Sequence, residues 1–122
     1  MKISRSRLPR ISEEMKAWSA ALALELATWP RVASKSFFGY DAFYCGDRIF
    51  ALLPDKRGLD APNAITFKLP ATESRLLARA RRDSRVSLPE SKQGAWLTFE
   101  LNSAKDLKDA LEWLLAAYQA AR

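Results

Sequence analysis

The apolar residues of this chain keep a helical period at both ends and an alternating one in the middle, which restricts the folds open to it. Within residues 12–29, Met15, Trp18, Leu22, Leu26 and Trp29 recur every three or four positions, the spacing of one buried helix side. Ser12 is suited to cap that helix, and Glu13 and Glu14 suit its positive end. Pro30 stops it, because proline forces the preceding residue out of the helical region.

From residue 36 to 53 the pattern reads as two strands around Cys45-Gly46-Asp47-Arg48, with Gly46-Asp47 as a short hairpin turn. Residues 54–63 hold two prolines, a glycine and four charges and read as a loop. Ile65, Phe67 and Leu69 then alternate with Thr66 and Lys68, as in a half-buried strand. Residues 70–73 open a second helix running to about Arg82, with Leu76, Leu77 and Ala80 on its apolar side. After a loop around Pro89, Leu97, Phe99 and Leu101 alternate with Trp96, Thr98 and Glu100. A closing helix follows, capped by Ser103 with Asp106 three residues on, and striped by Leu107, Leu111, Leu114 and Tyr118.

The element order is therefore α-β-β-β-α-β-α. Consecutive strands with helices gathered at the ends predict an α+β fold, an antiparallel sheet with its helices packed on one face. A length of 122 residues suits one domain, with residues 1–11 as a basic N-terminal arm and 12–122 as a single α+β domain. The expected core is Trp18, Leu22, Leu26, Phe67, Leu97, Phe99, Leu111 and Leu114.

Composition narrows the chemistry. Histidine is absent and Cys45 is the one cysteine, so Ser-His-Asp and Cys-His catalysis, His-ligated zinc and intrachain disulfides are excluded. Cys45 has no base beside it and reads as a structural thiol. Asp41, Asp47, Glu73 and Glu100 show no spacing that pairs them for acid–base work, and the charged stretch 55–60 lacks Walker or EF-hand spacing. No catalytic residue, metal ligand or cofactor is expected. No signal-peptide or membrane-spanning pattern is visible, and with a lone thiol the expected compartment is the cytoplasm.

Charge is distributed unevenly. The formal net charge is +6 from 20 basic and 14 acidic residues. Residues 1–11 carry Lys2, Arg5, Arg7 and Arg10 with no acid, and residues 75–85 carry Arg75, Arg79, Arg81, Arg82 and Arg85 against Asp83. These two stretches hold nine of the bases and one acid, so eleven bases face thirteen acids elsewhere. Arg75, Arg79 and Arg82 follow helical spacing along one side of the second helix, which suits phosphate contacts. Among the aromatics, Trp18, Trp29 and Trp113 fit helix cores. Tyr40, Phe43, Tyr44 and Trp96 are the candidates for a partly exposed sheet face of the kind that stacks bases.

Several short segments carry a family resemblance. Residues 38–44 (FGYDAFY) followed by 48–53 (RIFALL), 64–69 (AITFKL) and 94–99 (GAWLTF), with the late Ala117-Tyr118, resemble the strand pair, the lysine-bearing strand, the Trp strand and the closing-helix tyrosine of the MmcQ/YjbR-like family. The Phe-Gly and Phe-Ala-Leu segments are also similar to the N-terminal domain of the competence regulator TfoX. The resemblance spans about residues 14–120 and implies a compact "double-wing" α+β domain, a class labelled DNA-binding by structural analogy. It implies no catalytic residues.

The function expected is that of a non-catalytic binding domain contacting DNA phosphates nonspecifically through Arg5, Arg7, Arg10, Arg75, Arg79 and Arg82. The alternative is a protein- or small-ligand-binding module using Tyr40, Tyr44 and Trp96, without membrane association.

Overall fold

The structure, a computed structural model, describes residues 11–55, 63–88 and 96–122. Helix α1 (Glu13–Leu26) starts where expected: the Ser12 Oγ accepts the Met15 N–H at 3.0 Å, with Glu13 and Glu14 in the first turn. It ends three residues before Trp29. The Thr28 hydroxyl donates to the Glu25 carbonyl at 2.7 Å, and Arg31 takes a left-handed φ of 65°. Trp29 still reaches the core by packing on Tyr118, with ring centroids 5.1 Å apart.

The expected two strands are in fact a three-stranded meander: β1 (Val32–Phe37), β2 (Tyr40–Cys45) and β3 (Arg48–Pro54). Phe38 and Gly39, with φ of 49° and 93°, form a two-residue hairpin turn that divides the first expected strand. The second turn, Gly46-Asp47, stands where the sequence places it, with Cys45 opposite Arg48. Gly46 has φ +64°, a left-handed conformation that favours glycine, while the nearest atom to a Cβ there, an Arg31 guanidinium nitrogen at 2.7 Å, ends a flexible side chain that can move aside.

Strand β4 (Ala64–Lys68) leads to helix α2 (Ser74–Arg82), then β5 (Val86–Ser87), β6 (Trp96–Glu100) and helix α3 (Leu107–Ala121). Helix α2 begins at Ser74 rather than Pro70, since residues 70–73 form a turn closed by the Glu73 N–H on the Pro70 carbonyl at 3.0 Å. Strand β5 was not expected. Before α3, a 3₁₀ turn at Ala104–Asp106 is held by the Asp106 carboxylate, which accepts the Asn102 and Ser103 N–H groups at 2.8 and 3.3 Å.

Among the described residues the strands form one antiparallel sheet in the order β1-β2-β3-β4-β6-β5. The protein is α+β with its helices on one face, as expected. Phe67 stacks on Trp113 of α3 (5.5 Å), Phe50 meets Tyr118 edge-on (5.6 Å), and Met15, Leu22 and Leu26 of α1 join the same cluster. Of the expected core, Leu22, Leu26, Phe67, Leu97, Phe99 and Leu114 are fully buried, while Trp18 and Leu111 pack at its margin. The Tyr118 hydroxyl closes the layer by donating to the Pro30 carbonyl at 2.8 Å. No helix among the described residues is long and apolar enough to cross a membrane.

Candidate functional site

Helix α2 is polarised by its sequence. Ala80 is buried and Leu76 and Leu77 half-buried against the core, which turns Arg75, Arg79 and Arg82 outward, all exposed. Among the described residues no carboxylate lies within ion-pair distance of these three. The Arg79 guanidinium rests over the Trp113 ring at 5.2 Å, fixing the middle of the array to the helical layer. Arg5, Arg7 and Arg10, the arm half of the expected patch, lie outside the described residues. The described chain begins at Ile11, which is buried in the core cluster.

Arg85 leaves the basic patch altogether. Its guanidinium bonds Asp83 (two contacts at 3.0 Å), Asp106 (2.8 Å) and Asp109 (3.0 Å), and lies 4.8 Å from the Phe99 ring centroid. The hydrogen bonds from Arg85 hold the Asp83 carboxyl below the usual carboxylate range, against its own burial. Asp106 is lowered too, first by the Asn102 N–H and also by Arg85. The cluster ties the α2–β5 turn to the start of α3 and is structural.

The opposite side of the sheet carries the aromatic candidates. Pairing places Ala42, Leu52, Thr66, Thr98 and Ser87 in one row across five strands. Tyr44 lies one alternation from Ala42 and pairs with Ile49; Trp96 lies one alternation from Thr98 and pairs with Lys68. Tyr40, Tyr44 and Trp96 thus share the face that the helices leave uncovered. Tyr44 and Trp96 are partly exposed, whereas Tyr40 is buried at its far end. Phe43 does not belong to the set. It points to the core face and is 3% exposed, because neighbours on a strand face opposite ways.

Each exposed ring has a lysine the sequence reading missed. The Lys35 ammonium lies over Tyr44 at 5.6 Å and that of Lys68 over Trp96 at 5.9 Å, contacts worth about 0.5–1 kcal/mol at exposed sites. Beside Ile49 and Lys68 a cleft of about 460 Å³ opens between the Asp47-Arg48 turn, Pro70 and the last turn of α3. Arg48 supplies a second cation to its wall. Among strand residues on this face the carboxylate is Glu100, four residues from Trp96 along β6.

The four carboxylates without mutual spacing stay apart. Glu73 precedes α2, Asp47 is in the hairpin turn, and Glu100 is on the uncovered face. Asp41 lines a groove of about 650 Å³ between α1 and the β1–β2 edge, with Asp55. Burial first, then the Asp55 charge, raises the Asp41 carboxyl above its ordinary range, and a Ser36 hydrogen bond opposes them. A raised folded-state value means stability is lost as pH rises through it. Asp41→Asn is therefore expected to match the parent at about pH 3 and to exceed it at about pH 7, by less than about 1 kcal/mol in urea denaturation. Among the described residues no three or more His, Cys, Asp or Glu are grouped to hold a metal ion. Cys45 is packed in the core.

Comparison with known protein families, curated proteins and solved structures finds no match.

Proposed function

We propose that the chain is a non-catalytic nucleic-acid-binding domain of the MmcQ/YjbR-like kind, holding duplex DNA by its phosphates on the exposed side of α2, with the basic arm adding contacts. One observation carries this reading: Arg75, Arg79 and Arg82 stand exposed along one helix side with no carboxylate partner among the described residues. Seven residues of helix span about 10 Å, a length over which one DNA strand presents about three phosphates. Such contacts set affinity and register and carry little sequence information.

The test is the salt dependence of duplex binding. Replacing Arg75, Arg79 and Arg82 together with Gln is expected to weaken binding across unrelated sequences. The log–log salt slope should flatten by up to about 2.7, that is about 0.9 for each of three phosphates released. Binding unchanged in the triple variant, with its circular dichroism intact, would leave the array a solvated helix face.

A further inference from the structure

We propose a second nucleic-acid site on the uncovered sheet face, where Tyr44 and Trp96 each stack an unpaired base and Lys35 and Lys68 take the flanking phosphates of a single strand. The site is independent of the α2 surface, which lies on the other side of the sheet.

The pairing register carries the inference. Tyr44 on β2 and Trp96 on β6 are separated by three strand spacings, about 14 Å, so each ring has room for its own base. Between them lie Ile49 on β3 and Lys68 on β4, at the same end of the sheet. A chain crossing the strands there meets a ring, an aliphatic side chain, an ammonium and a second ring. The Thr66 and Thr98 pair forms the adjoining row, with Thr98 partly exposed to offer a hydroxyl to a base edge.

Charge decides between occupants. Both rings are already covered by an ammonium, and a lysine–ring contact at an exposed site is weaker than a base stacked on that ring. An incoming base displaces the lysine, which turns to the phosphate beside it. Lysine is depleted in protein–protein interface cores, yet Lys68 is exposed and central here, between Ile49 and Trp96. Glu100, the strand carboxylate on this face, lies at the far end of β6. The duplex form is disfavoured because paired bases hide the ring faces that Tyr44 and Trp96 would stack.

The experiment measures fluorescence anisotropy of a labelled oligothymidylate of about 12 nucleotides, with a duplex in parallel, at about 50 mM salt. Trp96→Ala and Tyr44→Ala are each expected to weaken single-strand binding by about 5- to 100-fold. Trp96→Phe and Tyr44→Phe should stay within about threefold of the parent because they keep a stacking ring. Lys35→Gln with Lys68→Gln, which keeps both rings, should flatten the single-strand salt slope by about 1.4, or about 0.7 per phosphate. Duplex binding should be unaffected by the ring variants, so failure here and failure at α2 read out separately. Single-strand affinity absent in the parent, or equal in the parent and the folded Trp96→Ala variant, would overturn the proposal. So would a salt slope unmoved by the lysine pair.

Discussion

Phe99→Ala is expected to lower the unfolding free energy by about 3–5 kcal/mol, read from the midpoint of a urea transition at constant slope. Phe99 has no solvent exposure and lies on β6 opposite Ile65 on one side and Val86 on the other. Alanine there opens a cavity where three strands meet. It also removes the ring over which the Arg85 guanidinium sits at 4.8 Å, so the loss belongs at the upper end of that range. Thr98→Ala, one residue away on the uncovered face, is expected to cost less than about 1 kcal/mol. A Phe99→Ala loss below about 1 kcal/mol would show that the two faces of the sheet had been exchanged.

That contrast between neighbours was legible in the sequence because alternation records which face of a strand is buried. It does not record where the strand lies in the sheet. Thr66 was expected on a solvated face, yet it is 4% exposed: its short side chain sits in a row between those of Leu52 and Thr98, whereas the longer Lys68 on the same strand and face is exposed. The helices were legible to within a turn, since their caps and stripes are local. The Phe38-Gly39 turn was not: phenylalanine lacks the short polar side chain that marks a hairpin. Two-residue β5 is too short to show any period, and its start is set by the Val86 N–H bonding the Asp83 carbonyl at 3.0 Å.

The candidate surfaces divide along the same line. Arg75, Arg79 and Arg82 needed nothing beyond helical spacing to be placed together. Tyr44 and Trp96 could be assigned a face individually, but their place at the same end of the sheet depends on the register of β2, β3, β4 and β6, and that of Lys35 and Lys68 beside them on the pairings of β1 with β2 and β4 with β6. Phe43 was a different matter. The alternation that put Tyr44 on the outer face already placed Phe43 on the inner one. Arg85 belongs to the basic stretch 75–85 by sequence, but its role is not local, because two of its partners, Asp106 and Asp109, lie 21 and 24 residues along the chain.

Arg85→Met is expected to lower stability by about 2–3 kcal/mol at neutral pH, more than an isolated surface ion pair supplies. One guanidinium satisfies three carboxylates here, and its side chain is 29% exposed with Asp83 and Asp106 more buried still. Methionine keeps the apolar contact with Phe99 but leaves Asp83, Asp106 and Asp109 without their cation, which is where most of the cost arises. The Asp83 and Asp106 carboxyls are held below their usual range in the folded protein. Their contribution is therefore complete above the unfolded value of about 3.9 and is lost as pH falls through the lower folded values. The gap between parent and variant should accordingly be widest near pH 7 and shrink steadily below about pH 4. Arg85→Lys should recover only part of it, since a single ammonium cannot fork to three carboxylates. Urea titrations of the three proteins at about pH 7, 5 and 3 separate the causes. A gap of the same size at every pH would assign the stabilisation to packing on Phe99 rather than to charge.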